Sequence, residues 1–132
     1  KQHRTKTTNR YFNYIYVRMG AYTLIHKRTE DDIWKNLFEL PLVETEKDLS
    51  EEEFLACPQF HALFAEGEVR MVRTLLRGVK HVLSHRVIYT NFYEVTLPDN
   101  SSSFSSYQRV AVEDLGRYAV PRLIHAFLEK YV

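Results

Sequence analysis

Apolar runs separated by short polar segments recur along the chain, and most of them predict strands. The runs are dense in aromatic and β-branched residues, which is typical of strands. They lie at Arg10–Arg18, Tyr22–Lys27, Leu37–Leu40, Val69–Leu76, Val79–Leu83, Arg86–Leu97 and Tyr107–Val112. Only Met19–Ala21 separates the first two runs, so this segment predicts a tight turn that pairs them as a hairpin. Pro41 ends the third run because proline cannot donate to a strand ladder.

Other segments carry signals typical of helices. Ser50 precedes an acidic stretch with Glu53 three residues on, which is the pattern of a capping box and predicts a helix over Ser50–Ala56. Gln59–Ala65 and Glu113–Gly116 predict short helical segments. Apolar residues recur at helical spacing after Pro121, so the C-terminus is predicted to be an amphipathic helix. Strands with helices between and after them predict an α+β class fold, a mixed sheet flanked by helices.

The composition is that of one globular domain. The chain has 132 residues, of which 45% are hydrophobic and 27% are charged. Residues 1–9 are polar and basic and are interpreted as the remnant of an inter-domain linker, and residues 10–132 as the domain. No apolar stretch approaches the ~18 residues that a membrane helix needs, so no membrane partner is expected. The single cysteine, Cys57, excludes an internal disulfide framework and favours a reducing, cytoplasmic location.

Charge is segregated along the chain. Residues 1–28 contain seven basic and no acidic residues, and residues 69–86 contain five basic and no acidic residues. Between them, residues 44–53 contain six acidic residues and one lysine. The two basic stretches could form a phosphate-binding face if the fold brings them together, or they could be ordinary solvated surfaces.

Four acidic residues resemble part of a known metal site. Glu39 is followed after seven residues by a segment containing Asp48, Glu51 and Glu52, a spacing that resembles the Nudix box, whose carboxylates bind Mg²⁺. Ile33 and Phe54 stand where that pattern has glycines. Ser50 also predicts a helix that starts too late for Asp48 to share its face. An ordinary solvated helix start is therefore favoured, and no metal site is predicted.

No sequence motif predicts a catalytic residue. The chain contains no HExxH, P-loop, GxGxxG or GxSxG motif. The segment from His81 to Arg86 does offer imidazole, hydroxyl and guanidinium groups between two strand-like runs. Such groups suit phosphate or base-edge contacts, although a routine polar turn would have a similar composition.

The order of several segments resembles the C-terminal domain of the MutY adenine DNA glycosylases. His81–His85 is similar to the family's His-x-Phe-Ser-His signature, and Asp32–Pro41 to its Gly-x-Trp-x-x-Leu-(Tyr/Trp)-x-Phe-Pro stretch. Arg10–Arg28 resembles the opening hairpin of that domain, and Val110–Leu128 its closing strand, turn and helix. The resemblance runs from about Arg10 to the end of the chain.

The resemblance implies a Nudix-like fold that reads 8-oxoguanine opposite adenine in double-stranded DNA and is not catalytic by itself. Ser84 would contact the lesion, helped by the neighbouring residues His81, Leu83, His85 and Arg86, with Leu83 replacing the family's Phe. No cofactor is implied in this domain. A preceding glycosylase domain of the same chain would carry the adenine-excising chemistry and a [4Fe–4S] cluster. The parent protein would be a monomer located with the bacterial nucleoid in the cytoplasm.

Two alternatives from other classes remain open on the sequence. The first is a divergent Nudix hydrolase that acts on nucleoside diphosphate derivatives, with Mg²⁺ held by Glu39, Asp48, Glu51 and Glu52. The second is a protein-interaction module without a role in DNA binding.

Overall fold

The computed structural model describes residues 8–132 and contains a four-stranded and a three-stranded β-sheet. The strands are β1 (Thr8–Arg18), β2 (Tyr22–Lys27), β3 (Phe38–Glu39), β4 (Leu42–Thr45), β5 (Met71–Val82), β6 (Arg86–Thr96) and β7 (Gln108–Ala111). The helices are α1 (Glu51–Ala56), α2 (Pro58–His61), a 3₁₀ helix over Val112–Arg117 and α3 (Arg122–Tyr131). The mixed sheet and flanking helices confirm the predicted fold class. The expected linker falls largely on residues 1–7, outside the described residues, and β1 begins at Thr8.

The larger sheet is mixed, with strand order β4-β1-β6-β5. β1 and β6 run parallel, and β1 pairs antiparallel with β4 and β6 with β5. The smaller sheet, of order β3-β2-β7, is antiparallel. Because side chains alternate along a strand, each face of the larger sheet builds its own hydrophobic cluster.

The first cluster joins the larger sheet to α3 and the smaller sheet. Phe12, Tyr14 and Phe92 are fully buried in it. Phe127 of α3 stacks on Phe92 with ring centroids 4.1 Å apart. The amphipathic C-terminal helix is therefore confirmed, and its apolar face covers this side of the sheet.

The second cluster lies on the opposite face, beneath α1 and α2. Phe54 of α1 stacks on Tyr93 at 4.7 Å, and Phe60 of α2 contacts Phe54 at 5.2 Å. The predicted capping box is confirmed: Ser50 Oγ accepts from the Glu53 backbone N–H, and the Glu53 carboxylate accepts from the Ser50 N–H. The glutamate's bonds to Ser50 lower its pKa. α1 therefore starts after Ser50, as the sequence predicted.

The expected β1–β2 hairpin is wrong. The turn is present, but beyond the bridge between Met19 and Tyr22 the two strands belong to different sheets. β6 pairs along one edge of β1, and β4, which the sequence pattern missed, pairs with Tyr11–Tyr14 on the other edge. β2 pairs with β3 and β7 in the smaller sheet.

Two further boundaries differ from the expectation. The runs 69–76 and 79–83 form one strand, β5, whose register shifts near Gly78. Gly78 has φ +70°, and its N–H donates to Asn91 Oδ1 at 2.8 Å, so this glycine marks an irregularity within a strand rather than a break. The expected helix over 59–65 ends at His61, after which the chain turns so that Leu63 and Phe64 pack on the second cluster. No helix among residues 8–132 is long and apolar enough to cross a membrane.

Candidate nucleic-acid interface

The tip between β5 and β6 carries the side chains singled out from the sequence. The backbone closes at Leu83, whose N–H donates to the Arg86 carbonyl at 2.8 Å. Ser84 and His85 are exposed at the tip, while Leu83 and Arg86 are half-buried. The sequence order thus places a hydroxyl and an imidazole in solvent at the end of a two-stranded ribbon.

The tip is held from two directions. The His85 carbonyl accepts a hydrogen bond from the Thr8 N–H at 3.1 Å, which ties the tip to the start of β1. Leu83 packs against the first hydrophobic cluster. His81 is half-buried, and its ring meets Trp34 edge-on at a centroid distance of 6.0 Å. Ser84 is therefore presented by a supported turn.

Trp34 belongs to a loop with unusual backbone geometry. Its φ is +58°, a value that costs a bulky side chain free energy, and Asn36 in the same loop has φ +72°. Trp34 packs on Phe12 at 6.0 Å as well as on His81, so it bridges the core and the tip. Nothing in the local sequence predicted the positive φ or the contact with His81.

Asp32 anchors that loop through two arginines. Arg10 donates two hydrogen bonds to the Asp32 carboxylate at 3.0 and 2.9 Å, and Arg28 donates one at 3.1 Å. The hydrogen bonds from Arg10 are the main reason that the pKa of Asp32 falls from 3.8 to about 2. Hydrogen bonds to Glu44 and Asp32 likewise raise the pKa of Arg10. The Asp32 carboxylate is therefore ionised in the folded protein at neutral pH.

Most arginines of the basic stretches neutralise acids within the fold. Arg10 pairs with Asp32 and Glu44, and Arg28 is buried against Glu39. The remaining pairs in these stretches are Arg18 and Arg73 with Glu94, and Arg77 with Asp48. Across residues 8–132 these ion pairs involve neither Lys80 nor Arg86. Lys80 and Arg86, both on the hairpin that ends at the tip, therefore keep charge that is available for phosphate.

Glu39 is sequestered from any metal site. It is 2% exposed and accepts hydrogen bonds from Tyr14 at 2.8 Å and from Arg28 at 3.0 and 3.1 Å, while His26 lies 2.9 Å from its second oxygen. Burial, with the neighbouring carboxylate, raises the pKa of Tyr14 well above its usual value. Both oxygens of Glu39 therefore have protein partners.

The other acids of the Nudix-like segment are also poorly placed for Mg²⁺. Asp48 precedes α1 and lies 3.7 Å from Arg77, whereas Glu51 and Glu52 are exposed in the first turn of that helix. Among residues 8–132 no three His, Cys, Asp or Glu side chains are grouped so that they could hold a metal ion. The residues present do not fit the cation that the Nudix box binds.

Comparison with known proteins places the fold. A NUDIX domain family matches residues 13–130. The C-terminal domain of mouse MUTYH, solved in a complex with human PCNA, superimposes with a TM-score of 0.66 at 15% identity, covering 92% of this chain and 86% of that one. The MutT protein from Methanosarcina mazei Go1 gives 0.61 at 17% identity, with coverages of 94% and 93%.

These likenesses are structural, since the identities are low, and among proteins with curated descriptions none matches this sequence. The family match nevertheless spans nearly the whole of the described chain, and its bounds fall inside β1 and α3. The chain belongs to the NUDIX domain family.

Proposed function

We propose that this domain reads 8-oxoguanine opposite adenine in duplex DNA, as part of an adenine DNA glycosylase whose catalytic domain lies elsewhere in the protein. The observation that carries the proposal is the exposed Ser84–His85 tip, held by Thr8 and supported by the Trp34–His81 contact. The segment around the tip resembles the MutY lesion-reading signature. The shared fold with the mouse MUTYH C-terminal domain supports the same reading.

The chemistry of the Ser84 hydroxyl suits this task. 8-Oxoguanine differs from guanine by a carbonyl at C8 and a proton at N7. The lesion therefore presents an acceptor at C8 and a donor at N7, whereas N7 of guanine is an acceptor. A hydroxyl can both donate and accept. One good contact to a base edge discriminates by about 1–3 kcal/mol, or roughly ten- to a hundredfold in affinity.

The residues beside Ser84 would have supporting roles. Leu83 keeps the turn seated on the core, in place of the aromatic residue of the MutY signature. His81, fixed against Trp34, sets the direction in which the tip leaves the sheet. His85 and Arg86 would contact the strand around the lesion, and the Arg86 guanidinium would bind phosphate without reading sequence. The [4Fe–4S] cluster and the adenine pocket belong, in this proposal, to the preceding glycosylase domain.

The test is an amide NMR titration of this chain with two duplexes that differ only in carrying 8-oxoguanine or guanine opposite adenine. We expect shifts centred on residues 81–86 that are larger with the lesion. Ser84→Ala should reduce the preference about tenfold while leaving affinity for the guanine duplex nearly unchanged. Ser106→Ala, at an exposed serine in the loop before β7, is the matched control. Full lesion preference in Ser84→Ala would overturn the assignment.

A nucleotide hydrolase is the second candidate, favoured by the fold shared with MutT proteins. The burial of Glu39 weighs against it. Incubation with nucleoside triphosphates and Mg²⁺ would decide between the two: phosphate or pyrophosphate release that Glu52→Gln abolishes would establish the hydrolase.

A protein-interaction role is the third candidate, because the mouse MUTYH domain was solved with a protein partner, human PCNA. Failure of this chain to bind either duplex at any salt concentration would favour it over DNA recognition.

A further inference from the structure

An aromatic pair stands on the sheet face next to the reading tip. The rings of Tyr11 on β1 and Tyr89 on β6 stack with centroids 5.6 Å apart and planes 16° apart. The two residues are register partners, as are Tyr89 and Lys80 across β6 and β5. Val82 and Val87 form the next pair on the same side, directly before the tip. Tyr11, Tyr89, Lys80 and Val82 therefore share one face and lead up to Ser84.

The helices leave this part of the face open. α1 covers Tyr93 through Phe54, and the Asn91 amide bridges to Asn13 at 3.1 Å. The tyrosine pair lies beyond these residues, towards the tip. Both tyrosines are only half-buried, Lys80 is exposed, and Val82 is 65% exposed. Val82 is thus an exposed apolar residue next to the tip, on the face that carries the two tyrosines.

The polar groups of this surface are available to a ligand. The hydroxyls of Tyr14, Tyr93 and Tyr118 bond to protein groups. Those of Tyr11 and Tyr89, like those of the other tyrosines among residues 8–132, have no protein hydrogen-bond partner there. Lys80 takes part in none of the ion pairs described above. Asp48, the acid that reaches Asn91 on this face, is itself paired with Arg77 at 3.7 Å.

We propose that this surface binds the sugar–phosphate backbone of the DNA strand next to the nucleotide read by Ser84, an inference that rests on the proposed function. The Lys80 ammonium binds one phosphate, and the hydroxyls of Tyr11 and Tyr89 donate to the oxygens of a neighbouring phosphate. Val82 packs against the deoxyribose between the tip and the lysine. Lysine and tyrosine side chains commonly make such contacts, which fix orientation and carry no sequence information.

The dimensions of the surface fit a DNA strand. Two residues of a β-strand span about 7 Å, which is the step from Val82 to Lys80. A DNA strand advances about 3.4 Å per phosphate along the duplex axis, so the patch spans about two nucleotides. The positive charge of Lys80 complements that backbone.

The experiment measures the affinity of this 132-residue chain for the 8-oxoguanine duplex by fluorescence anisotropy at a series of potassium chloride concentrations. Loss of one phosphate contact lowers the slope of log affinity against log salt by about 0.9. We expect Lys80→Gln to lower the slope by this amount. The double variant Tyr11→Phe, Tyr89→Phe keeps the rings and their packing and should weaken binding about five- to tenfold. Lys130→Gln is the matched control, because α3 covers the opposite face of the sheet.

The outcomes separate this inference from the proposed function. An unchanged slope in Lys80→Gln, or an equal change in Lys130→Gln, overturns the backbone site even if Ser84 still confers lesion preference. A reduced slope in Lys80→Gln, with equal affinity for lesion and guanine duplexes, supports the backbone site and removes lesion reading. A wild-type chain that binds neither duplex overturns both. Circular dichroism spectra matching the wild type establish that each variant is folded.

Discussion

Replacing Glu39 with glutamine tests whether this carboxylate is a structural ion or a ligand. Glu39→Gln keeps the shape of the side chain but removes one of the two carboxylate charges that compensate Arg28, which is itself 8% exposed and also pairs with Asp32. Breaking a buried ion pair from one side costs about 3–5 kcal/mol, and we expect the lower end because the amide can still accept hydrogen bonds.

The expected loss is large enough to measure by thermal unfolding. An unfolding entropy of about 2.1 cal/mol/K per residue over 132 residues gives about 0.28 kcal/mol/K, so 3 kcal/mol corresponds to roughly 10 °C. Tyr14→Phe removes only one of the hydrogen bonds to Glu39 and should cost about 1 kcal/mol. Glu66→Gln, at an exposed glutamate, should stay within about 0.5 kcal/mol of the wild type.

The free energy of unfolding of the wild type and the three variants is also measured by urea denaturation, with circular dichroism as the signal. A loss below about 1 kcal/mol in Glu39→Gln would refute the reasoning, because a buried Arg28 that has lost Glu39 and keeps the half-buried Asp32 as its carboxylate partner cannot be so well tolerated. Unchanged stability together with loss of a Mg²⁺-dependent hydrolysis would assign Glu39 to the metal instead.

Three further outcomes are expected. Phe127→Ala should cost about 3–5 kcal/mol in urea denaturation, since it empties the space stacked on Phe92; a change under about 1 kcal/mol would contradict the packing of α3. Ser50→Ala should cost about 1 kcal/mol by the same assay, and Ser50→Gly only a few tenths, because glycine is tolerated at an N-cap; equal losses would argue against the capping hydrogen bond. The pKa of Asp32 is lowered from 3.8 to about 2, so its stabilising effect is complete above pH 3.8 and lost as the pH falls towards 2. Asp32→Asn should therefore be less stable at neutral pH and show a weaker pH dependence over that acid range in thermal unfolding; parallel pH profiles would refute the ion pairs with Arg10.

Local patterns predicted most elements of this fold, whereas pairings between distant segments escaped them. The capping box at Ser50 and the helix after Pro121 depend on neighbours within a few residues, and both are present. β2 pairs with β7 and β1 pairs with β6, and both of these partners lie far along the chain. A local reading of the Met19–Ala21 turn therefore predicted the turn and the wrong partner.

The candidate site likewise combines features that local sequence patterns predict with features that they do not. The composition of His81–Arg86 identified a polar hairpin tip, because turn residues between two strand-like runs are a local signal. The support from Trp34, with its positive φ, arises from packing on Phe12 and could not be inferred from the sequence around it. For Glu39 the local pattern was misleading. Its spacing from the acidic segment resembles a metal-binding motif, but in the fold its carboxylate pairs with the buried Arg28.

The parallel pairing of β1 with β6 has a consequence for how the protein comes to be folded. Thr8 pairs with Arg86, so the central ladder of the sheet joins segments separated by most of the chain. Such distant contacts slow folding, because a long loop must close before they form. The β5–β6 ribbon can form locally, but β1, with its run of buried aromatic residues, remains without its main partner until that ribbon docks. The slow step should therefore be β1 docking, and a chain interrupted before β6 should expose an aggregation-prone strand.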